Sequence, residues 1–130
     1  MNEMLKTMAA AASGMAAQAA RIRLSSENIA NADTPGYHRK TVSFEETFQR
    51  TGDARAVTTG PVRLDQAELA RVYDPNHPLA GADGYYRGSN VDMMVEIADA
   101  REANRSYEAN LRMFDQARQM ASSLLDLLRR

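Results

Sequence analysis

The side chains that could do acid–base or metal chemistry are few and scattered. His38 and His77 are the only histidines, and neither stands at a metal-ligand spacing from another histidine or an aspartate. A surface position suits each better than a ligand's. The chain has no cysteine, which leaves no disulfide, thiolate zinc site or cysteine nucleophile to consider. Gly81, Gly84 and Gly88 lack the Gly-Lys-Ser/Thr ending that makes a phosphate loop. Most carboxylates near the C-terminus have an arginine one helical turn on: Glu108 with Arg112, Asp126 with Arg130, Glu102 with Arg105. These spacings describe ion pairs on a helix surface. The sequence therefore reads as a non-enzyme with no catalytic site, no metal site and no cofactor.

What remains is a question of elements. A chain of 130 residues, 44% hydrophobic and 25% charged, has the composition of one folded domain. The net charge of −1 is spread evenly, so no basic face offers itself to nucleic acid. Lys6 is the only basic residue before Arg21, and Ser13, Gly14 and Gln18 break the Met and Ala run. That start is neither a secretory signal nor a bilayer span, so export would proceed without a cleaved signal and no direct membrane insertion is expected.

Residues 2–31 carry Ala, Met, Leu, Gln and Arg with no proline before Pro35, which predicts one helix. Leu5, Met8, Ala12, Met15, Ala19, Ile22, Ser26 and Ile29 follow four-three spacing and form a coiled-coil seam. Thr34, Pro35 and Gly36 end it, because proline disfavours helix at the residue before it and Pro-Gly suits a type II turn. A second helix is expected from Ser89 or Asn90, either of which can cap it, with Asp92 in its first turn, as far as Arg130. Two seams fit it equally. One runs through Met93, Ile97, Ala100, Asn104, Tyr107, Leu111, Phe114, Arg118, Ala121, Leu125 and Leu128; the other through Ala103, Tyr107, Asn110, Phe114, Ala117, Ala121, Leu124 and Leu128. In the first, Asn104 is a polar register-setting residue.

Between the helices, glycine and proline punctuate short β-prone pieces around Tyr37 to Phe44 and Pro61 to Leu64. Ala67 to Tyr73 suits a strand or a helical turn, and the fold of residues 45–71 stays open. The fold class is thus mainly α: two long terminal helices in an antiparallel coiled-coil-like pair, with a small irregular, partly β insertion. The divisions fall at 1–36, 37–89 and 90–130. At ~1.5 Å per residue the helices are about 45 Å and about 60 Å long.

The first helix is apolar on more than its seam. Ala10, Ala17 and Leu24 lie on its outer face, behind the seam that the second helix is expected to cover. A helix apolar on two sides needs a second partner, which points to assembly.

Two stretches carry a resemblance. Ser13, Gly14, Met15, Ala16, Ala17, Gln18, followed by Asn28, Ile29, Ala30, Asn31, Ala32, Asp33, Thr34, Pro35, Gly36 and Tyr37, resembles the N-terminal signature of flagellar rod and hook proteins. Asn90, Val91 and Asp92 through Glu96 to Asn110 resembles their C-terminal helix, and the likeness covers nearly the whole chain. Where similar proteins tend to carry an apolar residue and a proline, this chain has Tyr86 and Ser89. The resemblance implies a structural subunit of the bacterial flagellar basal body, in the periplasmic rod. Its terminal helices would polymerise with its own copies and other rod proteins around the export channel and transmit torque. A membrane-ring adaptor at the rod base and the flagellar type III export apparatus would be further partners.

On this likeness the assembly residues are Ser13, Gly14, Met15, Gln18, Asn28, Asn31, Thr34, Pro35, Gly36 and Tyr37. The second helix adds Asn90, Asp92, Glu96, Asn104, Tyr107, Asn110, Leu111 and Phe114. Asn28 and Asn31 can bond backbone at a helix end, Gly36 can take positive φ, and Tyr37 can pack its ring with its hydroxyl bonded. A cytosolic helical adaptor or export chaperone is the rival reading, since it too would use long amphipathic helices.

Overall fold

The computed structural model describes residues 2–48 and 55–129. Helix α1 spans Asn2–Ala30 and helix α2 spans Met93–Leu128. They pack antiparallel: Asn28 meets Glu96, Gly14 meets Asn110, and Met4 lies beside Met120. Asp92 is the N-cap of α2, its carboxylate accepting from the backbone of Met94 and Val95. Ser89 and Asn90, expected to cap, bond elsewhere.

The helix face that makes the contact is not the one that bulk suggests. Ala11, Ala17 and Leu24 are buried, with Gly14, while Ala12, Ala19 and Ser26 are exposed and Leu5 is 55% exposed. The expected seam of α1 thus faces outward, and its expected outer face, Ala17 and Leu24 with half-buried Ala10, is covered within the chain. The reason is steric. A Cβ on Gly14 would lie 2.9 Å from the Asn110 side chain, so the backbones approach closely only where α1 is small. On its other side Leu24 lines a pocket together with Thr41, Val42 and Phe44.

On α2 the close approach selects the second seam. Ala103 and Ala117 are buried; Tyr107, Asn110 and Phe114 are half-buried, and Asn104 and Arg118 are exposed. Asn104 therefore sets no register within the chain, and Leu111, at 41% exposed, faces outward. The expected surface ion pairs also differ. Glu102 reaches across to Arg21 on α1 at 3.3 Å rather than to Arg105, and among the described residues Glu108 and Arg112 form no pair. Asp126 with Arg130 lies outside the described residues.

Among the described residues six strands form three two-stranded antiparallel ribbons. They are β1 (Lys40–Thr41) with β4 (Arg63–Leu64), β2 (Phe44–Phe48) with β3 (Arg55–Thr59), and β5 (Arg71–Tyr73) with β6 (Tyr85–Arg87). A lone two-stranded ribbon is marginal in water, so each must be tied down. Ser13 holds β3, its hydroxyl accepting from Val57 N–H at 3.0 Å while donating to the Ala10 carbonyl. The β5–β6 ribbon sets Tyr73 against Tyr85 with ring centroids 5.0 Å apart and planes tilted by 59°, and the Arg71 guanidinium lies 4.5 Å from the Tyr85 ring. Tyr86, on the opposite face, stacks on His77 at 3.9 Å.

Candidate functional site

Where α1 ends and α2 begins, the two helices and the insertion are joined by a polar clasp. Asn28 sits in the last turns of α1, 1% exposed. Its amide nitrogen donates to Lys40 O at 3.0 Å and to Glu96 Oε1 at 3.2 Å; its oxygen accepts from Lys40 N–H at 2.9 Å and Tyr37 Oη at 2.8 Å. One side chain thereby fixes a helix, a strand and the start of the second helix.

The approach to that strand is a tight turn. Gly36 has φ +75°, and Tyr37 N–H returns to Thr34 O at 3.2 Å, as in a type II turn. Thr34 donates to Asn31 Oδ1, and Asn31 donates to Glu27 O, closing the helix end. Burial raises the Tyr37 hydroxyl above its ordinary pKa; Lys40 opposes this, and Glu27 and Glu96 add to it.

Glu96 is fully buried and takes its charge partner from Arg39, whose Nε donates to Glu96 Oε1. Arg39 also reaches Asp99 at 2.8 Å, and Asp99 in turn meets Arg21 at 3.4 Å. Burial alone would lower the Arg39 pKa, but the Glu96 hydrogen bond and the charges of Glu96, Asp99 and Asp65 outweigh it and raise it. Asn90 completes the join: it accepts from Arg39 N–H and donates to Asp65 O at 2.9 Å and Ala67 O at 3.0 Å.

Chains with a similar sequence are known. A family model described as "Flagella basal body rod protein" matches residues 8–38, and one described as "Flagellar basal body rod FlgEFG protein C-terminal" matches residues 82–127. The chain is 41% identical to flagellar basal-body rod protein FlgC of Agrobacterium fabrum, over 92% of this chain and 91% of that one. It is 33% identical to FlgC of Salmonella typhimurium, over 90% and 92% of the two chains. To FlgC of Bacillus subtilis it is 33% identical, over 89% and 92%.

The chain belongs to the FlgC family of flagellar basal-body rod proteins. That family is structural, not enzymatic, and the site to be explained is one of construction. No group of three or more potential metal ligands occurs among the described residues, and no described helix is long and apolar enough to cross a membrane.

Against the FlgC-family motif, the geometry brings Asn28, Asn31, Thr34, Gly36, Tyr37, Asn90 and Glu96 into or beside the clasp. Ser13, Gly14 and Asn110 come together at the helix crossing. Met15, Gln18, Pro35, Tyr107 and Phe114 are half-buried, and Asn104 and Leu111 lie apart on the outer side of α2. Ser89 donates to Ala32 O, and Tyr86 stacks on His77.

Sequence reasoning missed Arg39, Asp99 and Arg21. Arg39 lies outside both helices, and its carboxylate is 57 residues away, so no local period exposes it. His38, read as a surface histidine, is half-buried and places Nδ1 3.0 Å from Asp65 O.

Gly36→Val is expected to cost about 1–3 kcal/mol, the usual strain for a side chain at positive φ. His38→Ala removes one hydrogen bond and should cost about 0.5–1.5 kcal/mol. Urea midpoints and rod incorporation of both variants check the order; equal values would show that Gly36 has no special backbone role.

Proposed function

We propose that the chain is an axial subunit that polymerises through the outward faces of its two helices. In the rod it meets its own copies and other rod proteins, transmits torque and encloses the export channel. The flagellar type III apparatus delivers it, a membrane-ring adaptor receives it at the rod base, and its place is periplasmic.

The observation that carries this reading is the outward stripe of α1. Leu5, Ala12 and Ala19 are exposed, with Met8, Met15 and Ile22 half-buried, on a helix whose other side is already covered. α2 likewise leaves Leu111, Met113 and Met120 exposed at 41–54%. An apolar row left open along a long helix marks an interaction face.

Ala19→Glu tests it, because Ala19 is exposed in the isolated chain. Stability should change by no more than about 0.5 kcal/mol. The variant should nonetheless be absent from purified basal bodies, since an unpaired carboxylate would be buried at every contact. Normal swimming with the variant present in the rod would overturn the proposed face.

A further inference from the structure

All eight methionines lie within residues 1–15 or 93–120, and residues 16–92 hold none. With no cysteine in the chain, methionine is its only sulfur. Among the described residues no methionine is buried: Met4, Met8 and Met15 are half-buried, and Met93, Met94, Met113 and Met120 are exposed. The core rests instead on Ala11, Ala17, Leu24, Ala103 and Ala117. Sulfur thus lies outside the buried seam, on the helices that the proposed assembly uses.

Met113 and Met120 stand two turns apart on α2, 54% and 52% exposed. With Met4 of α1, Gln116 and Ala117 they line one groove of about 340 Å³. An exposed thioether reacts with a peroxide without a catalyst. The sulfur lone pair attacks one peroxide oxygen, an S–O bond forms as the O–O bond breaks, sulfur is oxidised by two electrons, and the second oxygen leaves as water. The sulfoxide is polar, so a contact that buries it must strip its water with no partner provided. In the free chain it stays in solvent and disturbs no core residue.

We propose that Met113 and Met120 are oxidation sites at which a peroxide converts the free subunit into a form that folds but does not assemble. The proposal rests on the reading of the chain as an axial subunit. Assembly covers the two sulfurs, so the chain is vulnerable before incorporation, and enzymatic reduction of the sulfoxide restores it.

The experiment first treats the purified full chain and purified basal bodies with hydrogen peroxide and maps sulfoxides by peptide mass spectrometry. Met113 and Met120 should oxidise about tenfold faster in the free chain, because susceptibility follows exposure. The oxidised free chain should keep the circular dichroism and urea midpoint of the native one. Flagellated cells then make the native chain together with a variant, and peptide masses give the share of each in the basal bodies. Met113→Leu with Met120→Leu is apolar and free of sulfur, Met113→Gln with Met120→Gln is polar, and helix propensity is similar for all three residue types. Growth in peroxide should raise the share of the leucine pair relative to the native chain about tenfold over its share without peroxide. The glutamine pair should stand about tenfold below the native chain with no peroxide added. A leucine share that peroxide does not raise, a glutamine pair incorporated like the native chain, equal oxidation in rod and free chain, or unfolding on oxidation overturns the assignment and leaves the rod reading standing. Absence of the native-sequence chain from the basal bodies overturns both.

Discussion

Arg39→Leu is expected to destabilise the isolated chain by about 3–5 kcal/mol, the usual cost of stranding one member of a buried ion pair. The penalty falls on Glu96, which is fully buried. Among the described residues its Oε2 has no partner, and Oε1 would keep only the Asn28 amide at 3.2 Å. Domain stabilities are about 5–15 kcal/mol in total, so much of the population should unfold. Adding Glu96→Leu should recover part of the loss, since a buried pair can often be replaced by apolar groups at little cost. Urea unfolding followed by circular dichroism measures both. A loss below about 1 kcal/mol for the single variant, the scale of a surface pair, would mean that Arg39 does not hold the clasp.

Ala17→Glu is expected to cost a similar amount, about 3–5 kcal/mol at neutral pH, by burying a carboxylate whose neighbour one turn on, Arg21, is already paired with Asp99 and Glu102. Ala17 is 3% exposed and shares its surroundings with Phe44, Val57, Asn110 and Met113. The introduced acid should have a raised pKa in the fold. Its destabilising effect is therefore full well above that pKa and shrinks as pH falls and the group becomes neutral. Urea midpoints at two pH values read this out. A variant as stable as the native chain at neutral pH would show that this face is open. The substitution harms the lone subunit, so it cannot report on assembly, which is why an exposed position such as Ala19 is needed for that purpose.

The extent of α1 and the presence of α2 were legible because composition, the Pro-Gly turn and the absence of other breakers all agree there, while the cap of α2 fell at Asp92 rather than at Ser89 or Asn90. So was Gly36, whose neighbours demand a turn with positive φ. The inward side of α1 was not. Heptad counting rewards bulky residues such as Leu5, Met8 and Met15, while a close crossing at Gly14 selects small ones and turns the bulky row outward. The same contact settles the two α2 seams, which the pattern of α2 alone leaves equal. β2 and β3 escaped because neither strand is long enough, or apolar enough on one face, to announce itself. The clasp was half visible: Asn28, Tyr37 and Glu96 belong to recognisable motifs, but the arginine that binds them together follows no period.

The clasp also bears on how the chain comes to fold. Asn28 and Glu96 are 68 residues apart, and Arg21 and Asp99 are 78 apart, so neither helix can register against the other until a long loop has closed. Non-local contacts of this kind slow folding relative to a helical hairpin with a short turn. The closing entropy grows only logarithmically, however, at about 0.6 kcal/mol for each doubling of loop length. Lengthening or trimming the stretch between the clasp residues should hardly alter the stability of the helix pair, provided the turn at Gly36 and the return at Asn90 are kept. The architecture thus separates two kinds of change: the ends tolerate little, and the middle is free to diverge in size while the same two helices hold it.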